Sequence, residues 1–150
     1  KLENLIPQAT AIAVEEAIFS GNGEKLRDII SNFLIQSVSV FDAAGENFYH
    51  GFMLGVCALF GNSYVTSNRE SGDGRYDIAL SPKVSNLPGI IIELKAEKNC
   101  NENELQELAK TALKQINDKK YDTELKSKGV KTIYKYGVAF SGKHVAVEAE

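Results

Sequence analysis

Arg75-Tyr-Asp-Ile-Ala-Leu80 and Ile90-Ile-Ile-Glu-Leu-Lys95 are the stretches on which the fold turns. Both have the branched and aromatic residues of β-strands, and both place ionisable groups where a sheet ordinarily buries apolar ones. Side chains alternate along a strand, so Ile90, Ile92 and Leu94 share one face and Ile91, Glu93 and Lys95 the other. Likewise Tyr76, Ile78 and Leu80 oppose Arg75, Asp77 and Ala79. A hairpin closed over Ser81–Gly89, with Leu80 across from Ile90, sets Asp77 across from Glu93. Two carboxylates at cross-strand spacing, about 4.5–5.5 Å between Cβ atoms, repel each other. A divalent cation between them relieves that cost. Read alone, Asp77, Glu93 and Lys95 also suit a salt-bridge ladder on an exposed sheet face.

Outward from this pair, Tyr64–Arg69 is a further strand and Ser71-Gly-Asp-Gly74 a turn. Upstream, Asp42 is placed to cap a nearly all-apolar helix over 43–60, whose Glu46 and His50 stand i,i+4 on one face. Residues 1–37 carry helical spacing in two runs broken at Gly21-Asn-Gly23. Downstream, Asn101 with Glu104 forms a capping box for another helix. Its apolar stripe runs through Leu105, Leu108, Ala109, Ala112, Leu113 and Ile116, with Gln115 at the edge, where an amide needs a partner. Val130–Phe140 and His144–Val147 are strands around a Ser141-Gly142 turn. The order is helices, three strands, a helix and two strands.

Composition bounds the rest. With 150 residues, 43% of them hydrophobic, the chain can build one proper core. No apolar run reaches the roughly 18 residues that span a membrane, no secretory pattern is present, and a first residue of Lys suggests a piece of a longer chain. Cys57 and Cys100 are too few for a disulfide framework and are read as reduced thiols of an intracellular, cytoplasmic protein. The net charge of −3 argues against a general polyanion binder, yet residues 109–135 hold 8 Lys against 3 acids. Lys110, Lys114, Lys119 and Lys120 either line a phosphate-facing groove or form a solvated helix face.

Asp77 followed by Glu93-Leu94-Lys95, with a Glu-bearing helix before and a Gln-bearing helix after, resembles the PD-(D/E)XK nuclease superfamily. Glu46-Asn-Phe-Tyr-His50, Ser67–Asp77 and Tyr136-Gly-Val-Ala-Phe-Ser-Gly142 resemble, more closely, a bacterial family in which such a domain follows an AAA-ATPase-like domain. The resemblance covers about residues 40–147. It implies an α/β fold with a restriction-endonuclease-like αβββαβ core, a central mixed sheet flanked by helices. Residues 1–40 would be a helical extension, packed on the core or linking to the upstream ATPase-like domain, and 41–150 the nuclease-like domain.

The resemblance further implies metal-dependent hydrolysis of phosphodiester bonds in DNA or RNA. Asp77, Glu93 and the backbone carbonyl of Leu94 would hold Mg²⁺, for which Mn²⁺ can substitute, with help from Glu46. Lys95 would orient or help deprotonate the attacking water, and Gln115 matches the Gln that many relatives set beside the site. Relatives with a Gln-x-x-x-Tyr motif place the aromatic four residues on. Here position 119 is Lys and the nearest Tyr is Tyr121, which on that spacing falls outside the site. The alternative is a nuclease-fold module that binds nucleic acid or a protein partner without cutting.

Overall fold

A computed structural model describes residues 6–36, 45–67 and 77–150, the side chain of Glu46 excepted. Its elements are α1 (Gln8–Phe19), α2 (Gly23–Gln36), α3 (Glu46–Cys57), β1 (Ser63–Ser67), β2 (Ile78–Pro82), β3 (Gly89–Ala96), α4 (Glu102–Asp118), α5 (Thr123–Ser127), β4 (Ile133–Ser141) and β5 (His144–Ala149). The strands form a five-stranded mixed sheet in the order β1-β2-β3-β4-β5. Among the described residues only β3 and β4 pair in parallel, and α4 and α5 lie in the connection between them, as a parallel pair requires.

Helices pack on both faces of the sheet because each strand obeys the alternation of its sequence. Ile78, Leu80, Ile90, Ile92, Leu94 and Tyr136 join Ile18, Leu26, Ile30, Leu34 and Met53 of α1–α3 in one cluster. Ile91 turns the other way and packs with Ile116, Tyr121 and Leu125, while Ala139 and Ala146 meet Leu105 and Ala109 of α4. The N-terminal helices thus contribute to the same core as the central strands. The phenol of Tyr136 donates to the carbonyl of Ile18 at 2.6 Å.

The hairpin register is the one the sequence predicts, with Leu80 opposite Ile90 and Ile78 opposite Ile92. The capping box of α4 is present in both halves: Asn101 Oδ1 accepts from Glu104 N–H, and Glu104 Oε1 from Asn101 N–H. Several boundaries differ. The helix expected over 43–60 begins at Glu46 behind Gly45 and ends at Cys57, and Asp42 lies outside the described residues. Asp77 precedes β2 rather than sitting within it. The last two strands end later than their apolar patterns, and the hairpin turns at Gly142-Lys143, where Gly142 has φ +59°, a conformation that suits glycine. The short α5 has no periodic signature in the sequence. Arg75, Tyr76 and the Ser71–Gly74 turn are not among the described residues. Both cysteines are free, and burial pushes the Cys57 thiol up to about 12.

Candidate active site

The β2–β3 ladder ends at Ile78↔Ile92, and its next step sets Asp77 opposite Glu93. Beyond that end the Leu94 N–H needs another acceptor. It finds Asp77 Oδ2 at 2.8 Å. One carboxylate oxygen of Asp77 is therefore fixed against the β3 backbone beside Glu93, and both residues are buried. Where a strand residue uses its N–H toward one neighbour, its C=O projects to the same edge. The Leu94 carbonyl accordingly projects toward Asp77.

Lys95 shares the face of Glu93, and its Nζ stands 3.8 Å from Glu93 Oε2. The Glu93 side chain is 6% exposed and that of Lys95 28%, so a buried carboxylate meets a half-buried ammonium at the rim of the site. Lys95 Nζ also donates to Gln115 Oε1 at 2.8 Å. The Gln115 amide in turn donates to the phenol oxygen of Tyr121 at 3.2 Å. The amide is thus held at both ends, which fixes which end faces Lys95.

Tyr121 therefore belongs beside the site, contrary to the expectation from its spacing, and the physical reason lies at the end of α4. Lys120 adopts φ +55°. Its N–H bonds to the Asn117 carbonyl, and the Tyr121 N–H bonds to the Ile116 carbonyl. These two bonds and a left-handed residue make a Schellman turn, with Tyr121 packed on Ile116 as that motif favours. The turn folds the chain back under Gln115, so a Tyr six residues on reaches what a helical spacing of four would reach. Asp122, next in line, pairs with Lys126 at 2.9 Å and Lys135 at 3.3 Å and ties the turn to β4. Burial pushes its carboxyl up, but the two lysines outweigh burial and hold it below its ordinary value.

Gly137 lies opposite Glu93 in the parallel register. A Cβ there would strike the Ala109 carbonyl oxygen and lie 2.6 Å from the Leu113 nitrogen. The bare backbone at Gly137 lets α4 approach the sheet closely enough for Gln115 to meet Lys95. Nothing in the local sequence marks this glycine for that role.

Among the described residues no group of three or more His, Cys, Asp or Glu side chains converges as a metal-ligand set. Asp77 and Glu93 offer two hard carboxylate donors from adjacent segments, which suits a cation that takes oxygen ligands and completes its shell with water. Glu46 opens α3. His50, one turn on, is buried, with Nε2 2.7 Å from the Ser67 hydroxyl at the end of β1 that neighbours Asp77. Lys110 and Lys114 pair with Glu107 and Asp118 on the exposed surface of α4, so their charge is partly spent there.

A family model described as the PD-(D/E)XK nuclease superfamily matches residues 44–150, which include α3 and the whole sheet. No curated protein matches the chain. Nucleases of that superfamily generally use divalent metal ions and act on nucleic acid.

Proposed function

The chain belongs to the PD-(D/E)XK nuclease superfamily, and on that premise we propose that it is a Mg²⁺-dependent hydrolase of phosphodiester bonds in DNA, with RNA the alternative substrate. One observation carries the reading: Asp77, Glu93, Lys95 and Gln115 meet beside one edge of β3, tied by the Leu94 N–H and the Lys95–Gln115 bond. Asp77 and Glu93, with the Leu94 carbonyl and Glu46, would hold the ion. A divalent cation there would polarise the phosphate and make water a nucleophile near neutral pH. Lys95, held by Gln115, presents an ammonium toward developing negative charge or orients the attacking water. The link to an upstream AAA-ATPase-like domain rests on the sequence resemblance, and residues 1–40 would be the extension that joins it.

The test is cleavage of plasmid and single-stranded DNA by the full chain with Mg²⁺ or Mn²⁺. Cleavage that stops with EDTA and in Asp77→Ala, Glu93→Ala and Lys95→Ala is the expected result. Activity that survives all three substitutions assigns the chemistry elsewhere. A second reading, a module that binds without cutting, draws on the two-carboxylate set, which lacks a third converging ligand among the described residues. Mn²⁺ titration separates the two: a competent site binds the ion and loses it in Asp77→Asn, whereas a non-cutting module shows no difference between the proteins.

A further inference from the structure

The helices α4 and α5 do not cover the whole of the face that carries Glu93. α4 packs on β3, β4 and β5. On β1 and β2, Val65, Ile78 and Leu80 turn toward α1–α3, so alternation sends Tyr64, Thr66, Ala79 and Ser81 to the face of Glu93 and Lys95. Tyr64 lies opposite Ser81. At 63% exposure it is the most exposed large apolar side chain among the described residues. Lys83 Nζ stands over its ring, 5.1 Å from the centroid.

Ser81 and Lys83 continue into a cleft of about 570 Å³ lined by Lys128, Lys131 and Thr132 together with the apolar Val84, Leu87 and Val130; among the described residues no acid lines it. Lys128 has Glu124 at 3.8 Å, both exposed; among the described residues Lys83 and Lys131 form no ion pair.

We propose that Tyr64, Lys83 and this lysine-lined cleft form a track for a single-stranded segment of nucleic acid, continuous with the Asp77–Glu93 site. The ring supplies a platform for an unstacked base, and the lysines meet the backbone phosphates on either side of it. Ser81 in β2 and Asp77 immediately before that strand are four residues apart, about 13 Å if extended, a span that a few nucleotides bridge. Charge selects the occupant. Ser81 stands opposite Tyr64 and the Lys83 ammonium over its ring, so polar and cationic groups meet the ring, as a track for a polyanion requires. Lys83 lies just past β2, an inner strand of the sheet, so guarding a sheet edge does not account for it. A duplex keeps its base faces stacked on one another, whereas a single strand has bases free to stack on an exposed ring.

The inference rests on the hydrolase reading for the identity of the polymer, and the experiment separates the two. Fluorescence anisotropy in EDTA would measure binding of a labelled oligothymidylate of about a dozen nucleotides, and of a duplex of equal length, to the full chain. The track predicts tighter binding of the single strand. Tyr64→Ala should weaken it at least about fivefold, with little change for the duplex, while Tyr64→Phe retains it because the ring and not the hydroxyl does the stacking. The double variant Lys83→Ala/Lys131→Ala should flatten the dependence of affinity on salt by about 0.7 in the log–log slope for each phosphate that is no longer neutralised. Tyr64→Ala that keeps a native circular dichroism spectrum and binds like the wild type overturns the track, as does a wild-type chain that ignores single strands. Such a result in a chain that still cuts DNA with Mg²⁺ leaves the hydrolase reading standing. Tyr64-dependent binding in a chain that cuts nothing supports the track and removes the hydrolase.

Discussion

Asp77 combines a structural bond with a charge, and substitutions can separate them. Its Oδ2 accepts the Leu94 N–H that would otherwise be stranded past the end of the ladder, while its charge lies beside that of Glu93, a repulsion that the Lys95 ammonium offsets in part. Asn keeps an acceptor oxygen of the same size and removes the charge. Asp77→Asn should therefore melt at or above the wild-type temperature while losing Mn²⁺ binding and cleavage. Asp77→Ala strips the bond as well and should lose about 1–3 kcal/mol in urea titrations. The hairpin register is enough to set Asp77 beside Glu93 from sequence, because strand alternation puts Glu93 and Lys95 on one face and Ile90, Ile92 and Leu94 on the other. Gln115 is legible as a polar edge residue that has to find a partner. Tyr121 is not: its approach depends on a left-handed backbone at Lys120, and a residue type that seldom adopts that conformation gives no sign of it.

At the scale of elements, α4 is set against β4 by two backbone features, and each gives an expectation of opposite sign. Lys120 occupies the left-handed position of the Schellman turn, where glycine avoids the clash of Cβ with the following carbonyl. Lys120→Gly should raise unfolding free energy by about 0.5–1 kcal/mol and leave the Gln115–Tyr121 bond in place. Gly137 works the other way. Gly137→Ala puts a methyl against the backbone of Ala109 and Leu113, which cannot rotate aside. A loss of about 1–3 kcal/mol is expected, together with a drop in kcat as Gln115 withdraws from Lys95; calorimetry and single-turnover rates read the two effects. The capping box, the stripe of α4 and the strand alternations are visible in sequence because each is a local pattern. The tight approach at Gly137 joins distant segments, and one sequence cannot mark it.

At the scale of the molecule, α1 and α2 lie outside residues 44–150 that match the family, yet they share the central cluster with β3 and β4. Their joint with the sheet is Tyr136, whose phenol is fully buried and donates to Ile18 and, at 3.3 Å, to Ala17. Burial first, and the neighbouring Tyr134 second, push this phenol above its ordinary value of 10.0. A phenol with a raised value in the folded state stabilises the fold fully below the ordinary phenol range. It loses that contribution as pH climbs from about 10 toward the raised value, because the unfolded chain ionises first. The wild-type chain should therefore lose stability above about pH 10 partly through this joint, and α1–α2 should loosen with the sheet rather than ahead of it. Tyr136→Phe removes the titrating group along with its bond. It should cost about 0.5–1.5 kcal/mol at neutral pH and give a shallower alkaline fall than the wild type in urea unfolding series. Parallel alkaline curves for the two proteins would place the sensitivity in other groups and deprive the joint of its role in holding the N-terminal helices to the nuclease-like sheet.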